Sequence, residues 1–292
     1  MIASLSAKTE VLIEALPYIS RYEGKTFVVK YGGAAQTDDD LKETFAQDVT
    51  LLTKIGIRVV IVHGGGKEVT EVAGKLGLES RFIDGQRYTD AAMMDVVQMV
   101  LAGKTNKDIV GRINRHDGNA VGLSGVDANL LRVRKYEEGG VDLGFVGEIC
   151  GVNVHHLTML LKNGIMPVIA PVGVSGEGET YNVNADVAAS AVAAALEAEK
   201  LVFLSDVEGV MAGGALVPSM DQDEADRMMA TRIISNGMVP KIRSAFTALN
   251  AGVNKVHLID GRIKHSLLLE IFTDMGIGTE LVHRSEHAPV HS

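Results

Sequence analysis

Short apolar runs alternate with longer helix-like segments along most of the chain, and glycine-rich turns join many of them. The apolar runs are TFVVK (26–30), RVVIV (58–62), IMPVIAPV (165–172), KLVFLSD (200–206) and KVHLID (255–260). Apolar strands of about four to eight residues that alternate with helices are typical of a largely parallel sheet covered on both faces. The pattern therefore predicts an α/β protein.

The segments between these strands show helix-start signals and helical composition. LKETFAQDVTLLTKI (41–55) follows three aspartates that are candidate N-caps, and NVNADVAASAVAAALEA (182–198) is rich in alanine. Other segments place Asp-Gly or Gly-Gly between alternating residues, a signal for β-hairpins. The predicted hairpins are at residues 81–89, 130–149 and 210–217.

No proline- or serine-rich stretch divides the chain, so no linker marks a domain boundary. A new series of strands opens at Lys200, just after the alanine-rich helix. We therefore expect two lobes, an N-terminal one at residues 1–195 and a C-terminal one at residues 196–292.

Composition excludes several classes of partner. With a formal net charge of −9, the chain has no excess of Lys and Arg to neutralise nucleic acid phosphates. No apolar run approaches the roughly 20 residues of a membrane helix, so we expect no membrane partner. The single cysteine, Cys150, excludes an internal disulfide and a cysteine-based metal cluster, which suits the cytoplasm. We expect Cys150 to be a small buried residue rather than a nucleophile.

Two common nucleotide fingerprints are missing. AGKT (102–105) resembles the end of a P-loop, but Gln98 stands where the first glycine belongs, and the segment lies in a helical pattern. There is also no G-x-G-x-x-G, the fingerprint of dinucleotide-binding enzymes. A P-loop or dinucleotide site is therefore not expected.

Two glycine turns are the main chemical signal in the sequence. Gly32-Gly33 and Gly64-Gly65-Gly66 each follow an apolar strand and lead into a helix. Glycine lets backbone N–H groups approach an anion, and a helix N-terminus adds partial positive charge. A tight turn without a ligand is the alternative, but two matched turns favour a phosphate or carboxylate site. Lys30 precedes the first turn, where its ammonium group either reaches solvent or faces the bound anion.

Other polar residues are weak signals by themselves. Lys241 lies at a predicted helix start, and Asp186 lies in the first turn of the alanine-rich helix, where an acidic residue is common. His155 and His156 are adjacent in a helix-like stretch and face different directions, which argues against metal binding. No metal-ligating set is predicted.

Six motifs in order resemble the amino acid kinase family. They are VVKYGG, VHGGGKEV, GQRYTD, YNVNADVAAS, LSDVEGV and GMVPKI, and the likeness runs from about residue 8 to residue 283. GQRYTD with YNVNADVAAS is most similar to the acetylglutamate branch, whose members phosphorylate the side-chain carboxylate of N-acetyl-L-glutamate in arginine biosynthesis. The resemblance implies an open αβα sandwich, with the acyl amino acid in the N-terminal lobe and ATP in the C-terminal lobe.

The resemblance also assigns roles to residues. It implies that Lys30 and Lys241 neutralise the phosphoryl group in transfer and that Asp186 holds both ammonium groups. The substrate-binding positions that it implies are Gly64, Gly65, Gly66, Arg87 and Asn182. The ATP-binding positions that it implies are Gly32, Gly33, Ser205, Asp206 and Gly209. A carboxylate nucleophile is already ionised at pH 7, so no general base is required. Because no protein carboxylate is assignable to Mg²⁺, we expect ATP oxygens to hold that ion.

The N-terminal stretch AKTEVLIEALPYISRYEGK (7–25) resembles an extension of arginine-inhibited, hexameric members of the family. As a helix it places Val11, Leu12, Leu16 and Ile19 on one side. The helix either covers its own lobe or pairs with another subunit, and the resemblance favours pairing. The residues that it implies for binding the inhibitor L-arginine are Tyr18, Lys200, His257, Glu270 and Gly276. Binding of a PII-type regulator is left open.

The chain departs from the family pattern at three places. Lys67-Glu68 replaces a common proline after the second glycine turn, Ala34-Ala35 replaces an asparagine-methionine pair, and Val126 replaces a frequent lysine. Three other interpretations remain open. They are a kinase for acetylaminoadipate, a carbamate or aspartate kinase, and a non-catalytic arginine sensor.

Overall fold

A computed structural model describes residues 2–83, 85–137, 140–235, 237–273 and 276–283, without the side chains of residues 2–9, 11, 12 and 34. The helices are α1 (Ile2–Tyr22), α2 (Asp39–Lys54), α3 (Gly66–Lys75), α4 (Ala91–Gln98), α5 (Asn106–Arg115), α6 (His155–Lys162), α7 (Ala185–Ala195), α8 (Gln222–Ala230), α9 (Met238–Asn250) and α10 (Ser266–Ile271). A π-helical segment, Met99–Thr105, joins α4 to α5, and 3₁₀ turns occupy Gly33–Gln36 and Asp127–Asn129.

The strands follow the same chain order. They are β1 (Thr26–Tyr31), β2 (Arg58–His63), β3 (Phe82–Ile83), β4 (Gln86–Arg87), β5 (Ala120–Ser124), β6 (Leu131–Lys135), β7 (Gly147–Val152), β8 (Met166–Ala170), β9 (Val172–Val174), β10 (Thr180–Asn182), β11 (Lys200–Ser205), β12 (Met211–Ala212), β13 (Ala215–Leu216), β14 (Ser219–Met220), β15 (Lys255–Asp260) and β16 (Thr279–Leu281). The three predicted hairpin regions contain the antiparallel pairs β3–β4, β6–β7 and β12–β13.

The central sheet has the strand order β14-β16-β15-β11-β1-β2-β8-β5. Its strand pairs are parallel except β15–β16. One core contains residues of α7 and α9, and the other contains residues of α2 and α5, so helices cover both faces. The prediction of an open αβα sandwich with a mainly parallel sheet is confirmed.

Strand β1 shows how residue alternation positions the chemistry. Phe27 and Val29 belong to the core beneath α2 and α5, whereas Val28 belongs to the core beneath α7 and α9. Because successive side chains in a strand point to opposite faces, Lys30 lies on the same face as Val28. Lys30 is thereby directed toward α7 and α9, the helices that carry Asp186 and Lys241.

Side-chain caps fix the starts of two helices near the strand ends. Asp38 is the residue that caps α2, since its carboxylate accepts a hydrogen bond from the Leu41 N–H at 2.9 Å. Asn184 caps α7 by accepting from the N–H groups of Asp186 and Val187. An N-cap satisfies N–H groups that have no partner inside the helix. The cap at Asn184 therefore fixes the backbone at Asp186.

The proposed lobe boundary falls between neighbouring strands of one sheet. β11, which opens the predicted C-terminal lobe, pairs along its length with β1. The boundary at residues 195 and 196 stays a prediction. Within the described ranges, no helix is both long and apolar enough to cross a membrane.

Two surface features qualify the sequence predictions. Helix α1 forms as expected, and Leu16 is 57% exposed on it, whereas the side chains of Val11 and Leu12 lie outside the described residues. The expectation that Cys150 is buried is wrong. Cys150 lies on β7, an edge strand of the smaller sheet β10-β9-β6-β7, where the residue is exposed and its thiol donates to the Arg132 carbonyl at 3.3 Å.

Candidate active site

The carboxyl ends of neighbouring parallel strands bring the predicted residues together. β1 ends before Gly32, β2 ends before Gly64, and β11 ends before Asp206. Parallel strands end at the same edge of a sheet, which is where open α/β sheets bind ligands. The two glycine turns and Asp206 therefore lie along one edge.

Asp186 forms ion pairs with both predicted lysines. The ammonium nitrogen of Lys30 lies 2.9 Å from Oδ1 of Asp186, and that of Lys241 lies 2.7 Å from Oδ2. The side chain of Lys241 also lies over the ring of Phe203 on β11, 5.4 Å from its centroid. The three charged side chains are between 12% and 19% exposed. They can therefore contact a ligand while the protein limits their motion.

Electrostatics keep this carboxylate ionised. Burial raises the pKa of Asp186, but the charges of Lys30 and Lys241 outweigh that effect and lower the pKa to about 2. Burial lowers the pKa of Lys241, although Asp186 opposes the shift. Two basic side chains on one carboxylate form a site suited to an anionic group.

The first glycine turn has no room for side chains. A Cβ at Gly32 would lie 2.8 Å from Nζ of Lys30. Gly33 has a φ of +70°, and a Cβ there would lie 2.1 Å from Oδ1 of Asp206. The turn thus lets backbone atoms approach both Lys30 and Asp206. Ala35, one of the departures from the family pattern, is buried with its Cβ 3.1 Å from the Cβ position of Gly261, so a larger side chain has little space there.

The second glycine turn and the β3–β4 hairpin border a cavity of about 170 Å³. The predicted substrate residues that line it are Gly64, Gly65, Gly66, Arg87 and Asn182. Arg87 donates to the Gly66 carbonyl and to Oγ1 of Thr70, both at 2.8 Å, and to Oγ of Ser80 at 2.6 Å. An arginine has five N–H donors, so two remain for a carboxylate ligand.

Thr89 connects the two polar residues of this cavity. Nδ2 of Asn182 donates to Oγ1 of Thr89 at 3.2 Å, and this hydroxyl donates to the Arg87 carbonyl at 3.0 Å. Thr89 is fully buried. Its role is not evident from the sequence, although it lies inside the GQRYTD motif.

The side chains of His63 and Asn106 hold the second glycine turn in place through hydrogen bonds. His63 is fully buried, and burial lowers its pKa to about 4, so the ring is neutral at pH 7. Its Nδ1 lies 2.7 Å from the Gly64 carbonyl, which can only accept, and Nε2 accepts from Nδ2 of Asn106 at 3.2 Å. This arrangement fixes the ring tautomer and the direction of the Gly64 carbonyl. Sequence reasoning did not assign a role to either residue.

The remaining predicted nucleotide residues have structural contacts of their own. Ser205 is buried at the end of β11, and its carbonyl accepts from the Gly261 N–H. Gly209 has a φ of +148°, and a Cβ there would lie 2.6 Å from Oγ1 of Thr279. Close packing accounts for Gly209, and ATP binding by these residues stays a prediction.

The residues predicted for the inhibitor gather near the opposite, amino-terminal end of β11. Lys200 and His257 lie 2.8 Å apart (Nζ to Nε2), and Nδ1 of His257 lies 2.6 Å from Oε1 of Glu270. Gly276 has a φ of +60°, and a Cβ there would lie 2.9 Å from Oε2 of Glu270. Burial lowers the pKa of Lys200 to about 8. Tyr18 of α1 meets the ring of Phe272, two residues beyond Glu270, at a centroid distance of 6.3 Å.

The fold and the charged groups at this site are those of a phosphoryl-transfer enzyme. Two lysines held by one carboxylate, beside glycine turns at the carboxyl edge of a parallel sheet, suit an enzyme that transfers a phosphoryl group. Such a reaction depends on positioning and on cationic and N–H groups around the phosphoryl oxygens.

The chain belongs to the amino acid kinase family, whose profile matches residues 25–260. It is 52% identical to the acetylglutamate kinase of Chlorobaculum tepidum over 96% of this chain and 98% of the relative. It is 51% identical to the acetylglutamate kinase of Aquifex aeolicus, over 95% of this chain and 98% of the relative.

Solved structures show the same architecture. N-acetylglutamate synthase from Neisseria gonorrhoeae, complexed with coenzyme A and N-acetyl-glutamate, is 29% identical, with a TM-score of 0.84 over 96% of this chain and 66% of that chain. Carbamate kinase from Giardia lamblia, bound to AMP-PNP, has a TM-score of 0.63 at 15% identity, over 89% of this chain and 99% of that chain. The second likeness concerns the fold alone.

Proposed function

We propose that the protein transfers the γ-phosphoryl group of ATP to the side-chain carboxylate of N-acetyl-L-glutamate. The product is the acyl phosphate N-acetyl-L-glutamyl 5-phosphate, an intermediate of arginine biosynthesis. The observation that carries the proposal is the pair of lysines on Asp186, at distances of 2.9 and 2.7 Å, beside the two glycine turns. Relatives named acetylglutamate kinase, which are 52% and 51% identical to this chain, support the choice of acceptor.

The charge arrangement explains how two anions meet. In the reaction a carboxylate oxygen attacks the γ-phosphorus, the bond to the β,γ-bridging oxygen breaks, and ADP leaves with that electron pair. Both reactants are negatively charged, and their repulsion opposes the approach. Lys30 and Lys241 offset this repulsion, while the N–H groups of Gly32 and Gly33 orient the phosphoryl oxygens. Asp186 positions both ammonium groups and itself stays ionised.

The acyl amino acid lies in the cavity between the second glycine turn and the β3–β4 hairpin. A free N–H donor of Arg87 binds its α-carboxylate, and Asn182 binds the acetamido group. The N–H groups of Gly65 and Gly66, which lead into α3, receive the reacting end of the substrate, whereas the Gly64 N–H donates to the Tyr31 carbonyl. The His63 ring keeps the Gly64 carbonyl turned toward itself.

Mg²⁺ arrives with ATP in this account. Among the residues that the structure describes, no group of three or more His, Cys, Asp or Glu side chains is arranged to hold a metal ion. We therefore assign the ion to the phosphate oxygens of ATP.

ADP release with different acceptors tests this function. Purified protein with ATP should release ADP many-fold faster with N-acetyl-L-glutamate than with N-acetyl-L-aminoadipate, aspartate, bicarbonate with ammonia, or no acceptor. Release that N-acetyl-L-glutamate does not stimulate beyond the blank excludes the proposal and favours the sensor hypothesis. Stimulation chiefly by the aminoadipate compound assigns the enzyme to the longer substrate.

We also propose that L-arginine inhibits the enzyme by feedback. Lys200, His257 and Glu270 form a buried polar cluster beside Tyr18 and Phe272, and the same region of the chain carries Gly276. N-acetylglutamate synthase from Neisseria gonorrhoeae, at 28% identity and a TM-score of 0.80 over 94% of this chain and 65% of that chain, has been solved with coenzyme A and L-arginine. Activity that is unchanged at millimolar arginine removes this part of the proposal.

The proposal also includes assembly of the protein into an oligomer through helix α1. The exposed Ile13 and Leu16 of α1 support pairing of this helix with another subunit, as in a hexamer. Sedimentation of the full chain beside a chain that lacks residues 1–20 tests it, since only the full chain should form the larger particle. A PII-type partner and the cytoplasmic location stay predictions from the sequence.

A further inference from the structure

A second and larger cavity, of about 500 Å³, lies beside helix α3. Lys67, Glu68 and Glu71 of α3 line it, since Glu71 lies one helical turn after both Lys67 and Glu68. Gly66 and Val69 line the candidate substrate cavity instead. Helix α3 therefore separates the two cavities.

The larger cavity contains two buried polar atoms without partners. Gln36 is 5% exposed and Thr105 is 8% exposed, and both line the cavity. Neither Nε2 of Gln36 nor Oγ1 of Thr105 has a hydrogen-bond partner in the part of the chain that the structure describes. Unpaired buried polar groups are costly and rare in folded proteins, and they mark places where another group binds.

The charges around the cavity are unequal. The lining side chains of Lys42 and Arg112 pair with Asp39, and Arg112 also pairs with Asp108. Lys67 and Lys104 also line the cavity and lie within ion-pair distance of no described carboxylate, although the charge of Lys104 contributes to the lowered pKa of Glu71. Of the lining carboxylates, Glu71 pairs with Lys75, and Glu68 alone has no ion-pair partner within the described ranges. Two ammonium groups thus stand against one carboxylate, which favours an anionic ligand.

The wall of the cavity is apolar. Its residues include Phe45, Ala46, Ile109 and Ile113, and the ring of Tyr31 stacks on Phe45 with centroids 3.8 Å apart. A cavity of several hundred cubic ångströms with apolar walls and a few polar groups is typical of a small-molecule site. We propose that this cavity is a second ligand site, which takes a small organic carboxylate with an apolar body.

The same two polar side chains also lie beside the second glycine turn. A Cβ at Gly64 would lie 3.8 Å from Oε1 of Gln36, and a Cβ at Gly65 would lie 3.4 Å from Oγ1 of Thr105. A ligand that binds Nε2 of Gln36 and the Thr105 hydroxyl shifts groups that border this turn. Occupancy therefore changes the KM for N-acetyl-L-glutamate, a consequence that rests on the proposed function, whereas binding itself does not.

Calorimetric titration of the full chain with phenylpropanoate tests the site, with phenylpropanol as the neutral analogue. The acid should bind saturably, and the alcohol should bind at least about tenfold more weakly. The double substitution Lys67→Met with Lys104→Met should weaken binding of the acid by about tenfold and leave binding of the alcohol unchanged. Lys162→Met removes an exposed lysine that does not line the cavity and serves as the matched control.

Each alternative result overturns the proposal. No saturable binding at millimolar phenylpropanoate means that the cavity holds water only. Equal binding of acid and alcohol, or equal loss in the Lys162→Met control, shows that the lysines do not select a carboxylate. Because these measurements need neither ATP nor turnover, their result is independent of the proposed kinase activity.

Discussion

Nζ of Lys241 lies 2.7 Å from Oδ2 of Asp186, and this contact joins the first turn of α9 to the first turn of α7. The two residues are far apart in sequence but adjacent at the carboxyl edge of the sheet. The second carboxylate oxygen is occupied by Lys30 of β1. One side chain thus couples two helices and a strand at the place where the phosphoryl group is to be transferred.

Asp186→Asn should lower kcat by at least about 100-fold, equivalent to about 3 kcal/mol. The amide keeps the shape of the carboxylate but removes the charge that holds the two ammonium groups. Steady-state ADP release measures the effect, and circular dichroism checks that the variant is folded. Asp95→Asn, an exposed carboxylate on α4, is the matched control. Activity of the Asp186 variant within about twofold of wild type contradicts the assigned role.

Arg87→Lys should raise the KM for N-acetyl-L-glutamate by at least about tenfold while kcat changes less. The planar guanidinium of Arg87 donates to Gly66, Thr70 and Ser80 and still has N–H groups for a carboxylate. A lysine has no such planar group. Arg81→Lys serves as the control. Arg81 belongs to the same hairpin region as Arg87, but its guanidinium packs over the ring of Tyr88. Initial rates over a range of substrate concentrations separate the two parameters. An unchanged KM removes Arg87 from the substrate site.

Gly33→Ala should abolish measurable activity, because a Cβ would lie 2.1 Å from Oδ1 of Asp206 and φ is already positive. Gly213→Ala is a matched control, since Gly213 also has a positive φ, but nothing lies within 4 Å of its Cβ position. The control should lose about 1 kcal/mol of stability and keep its KM for ATP. If both variants lose only stability, the contact between Gly33 and Asp206 has no part in the reaction.

The stability of the protein should depend on pH through Asp48. Burial raises the pKa of Asp48 from 3.8 to about 6, although its 2.6 Å hydrogen bond with His265 opposes the shift. Between about pH 4 and 6 the folded state holds a proton that the unfolded chain has released. The free energy of unfolding therefore decreases as the pH rises through this window.

Asp48→Asn removes this titration, so the variant should be the more stable protein above about pH 6, by roughly 1–3 kcal/mol. The difference should shrink toward pH 4. Urea unfolding at a series of pH values measures it, with Asp95→Asn as the control. If the free energies of unfolding of wild type and of the Asp48 variant differ by the same amount from pH 4 to pH 7, the assignment is refuted.

Most of the fold follows from sequence patterns, whereas the site follows only in part. The buried strands β1, β2, β11 and β15 are continuous apolar runs, which periodicity detects directly. The pairing of Lys30, Lys241 and Asp186 was predicted only through the family resemblance, because spacing along the chain does not show which helices pack together.

Other features depend on three-dimensional packing alone. His63 lies in the VHGGGKEV motif, but its role is not visible there, since it arises from burial and from Asn106 on a different element. The second cavity has walls from α2, α3, α5 and the end of β1, so Gln36 does not stand out in the sequence, and the AGKT segment that contains Thr105 does not indicate a cavity. Cys150 was placed wrongly because residue type does not reveal that β7 is an edge strand.

Trapping of the acyl phosphate tests whether the protein transfers a phosphoryl group to N-acetyl-L-glutamate. Hydroxylamine converts an acyl phosphate to a stable hydroxamate, so the protein is incubated with ATP, N-acetyl-L-glutamate and hydroxylamine. The account predicts one hydroxamate for each ADP with wild-type protein, and a rate at least about 100-fold lower with Lys241→Met. ADP without hydroxamate, or an unchanged rate in the Lys241→Met variant, would contradict it.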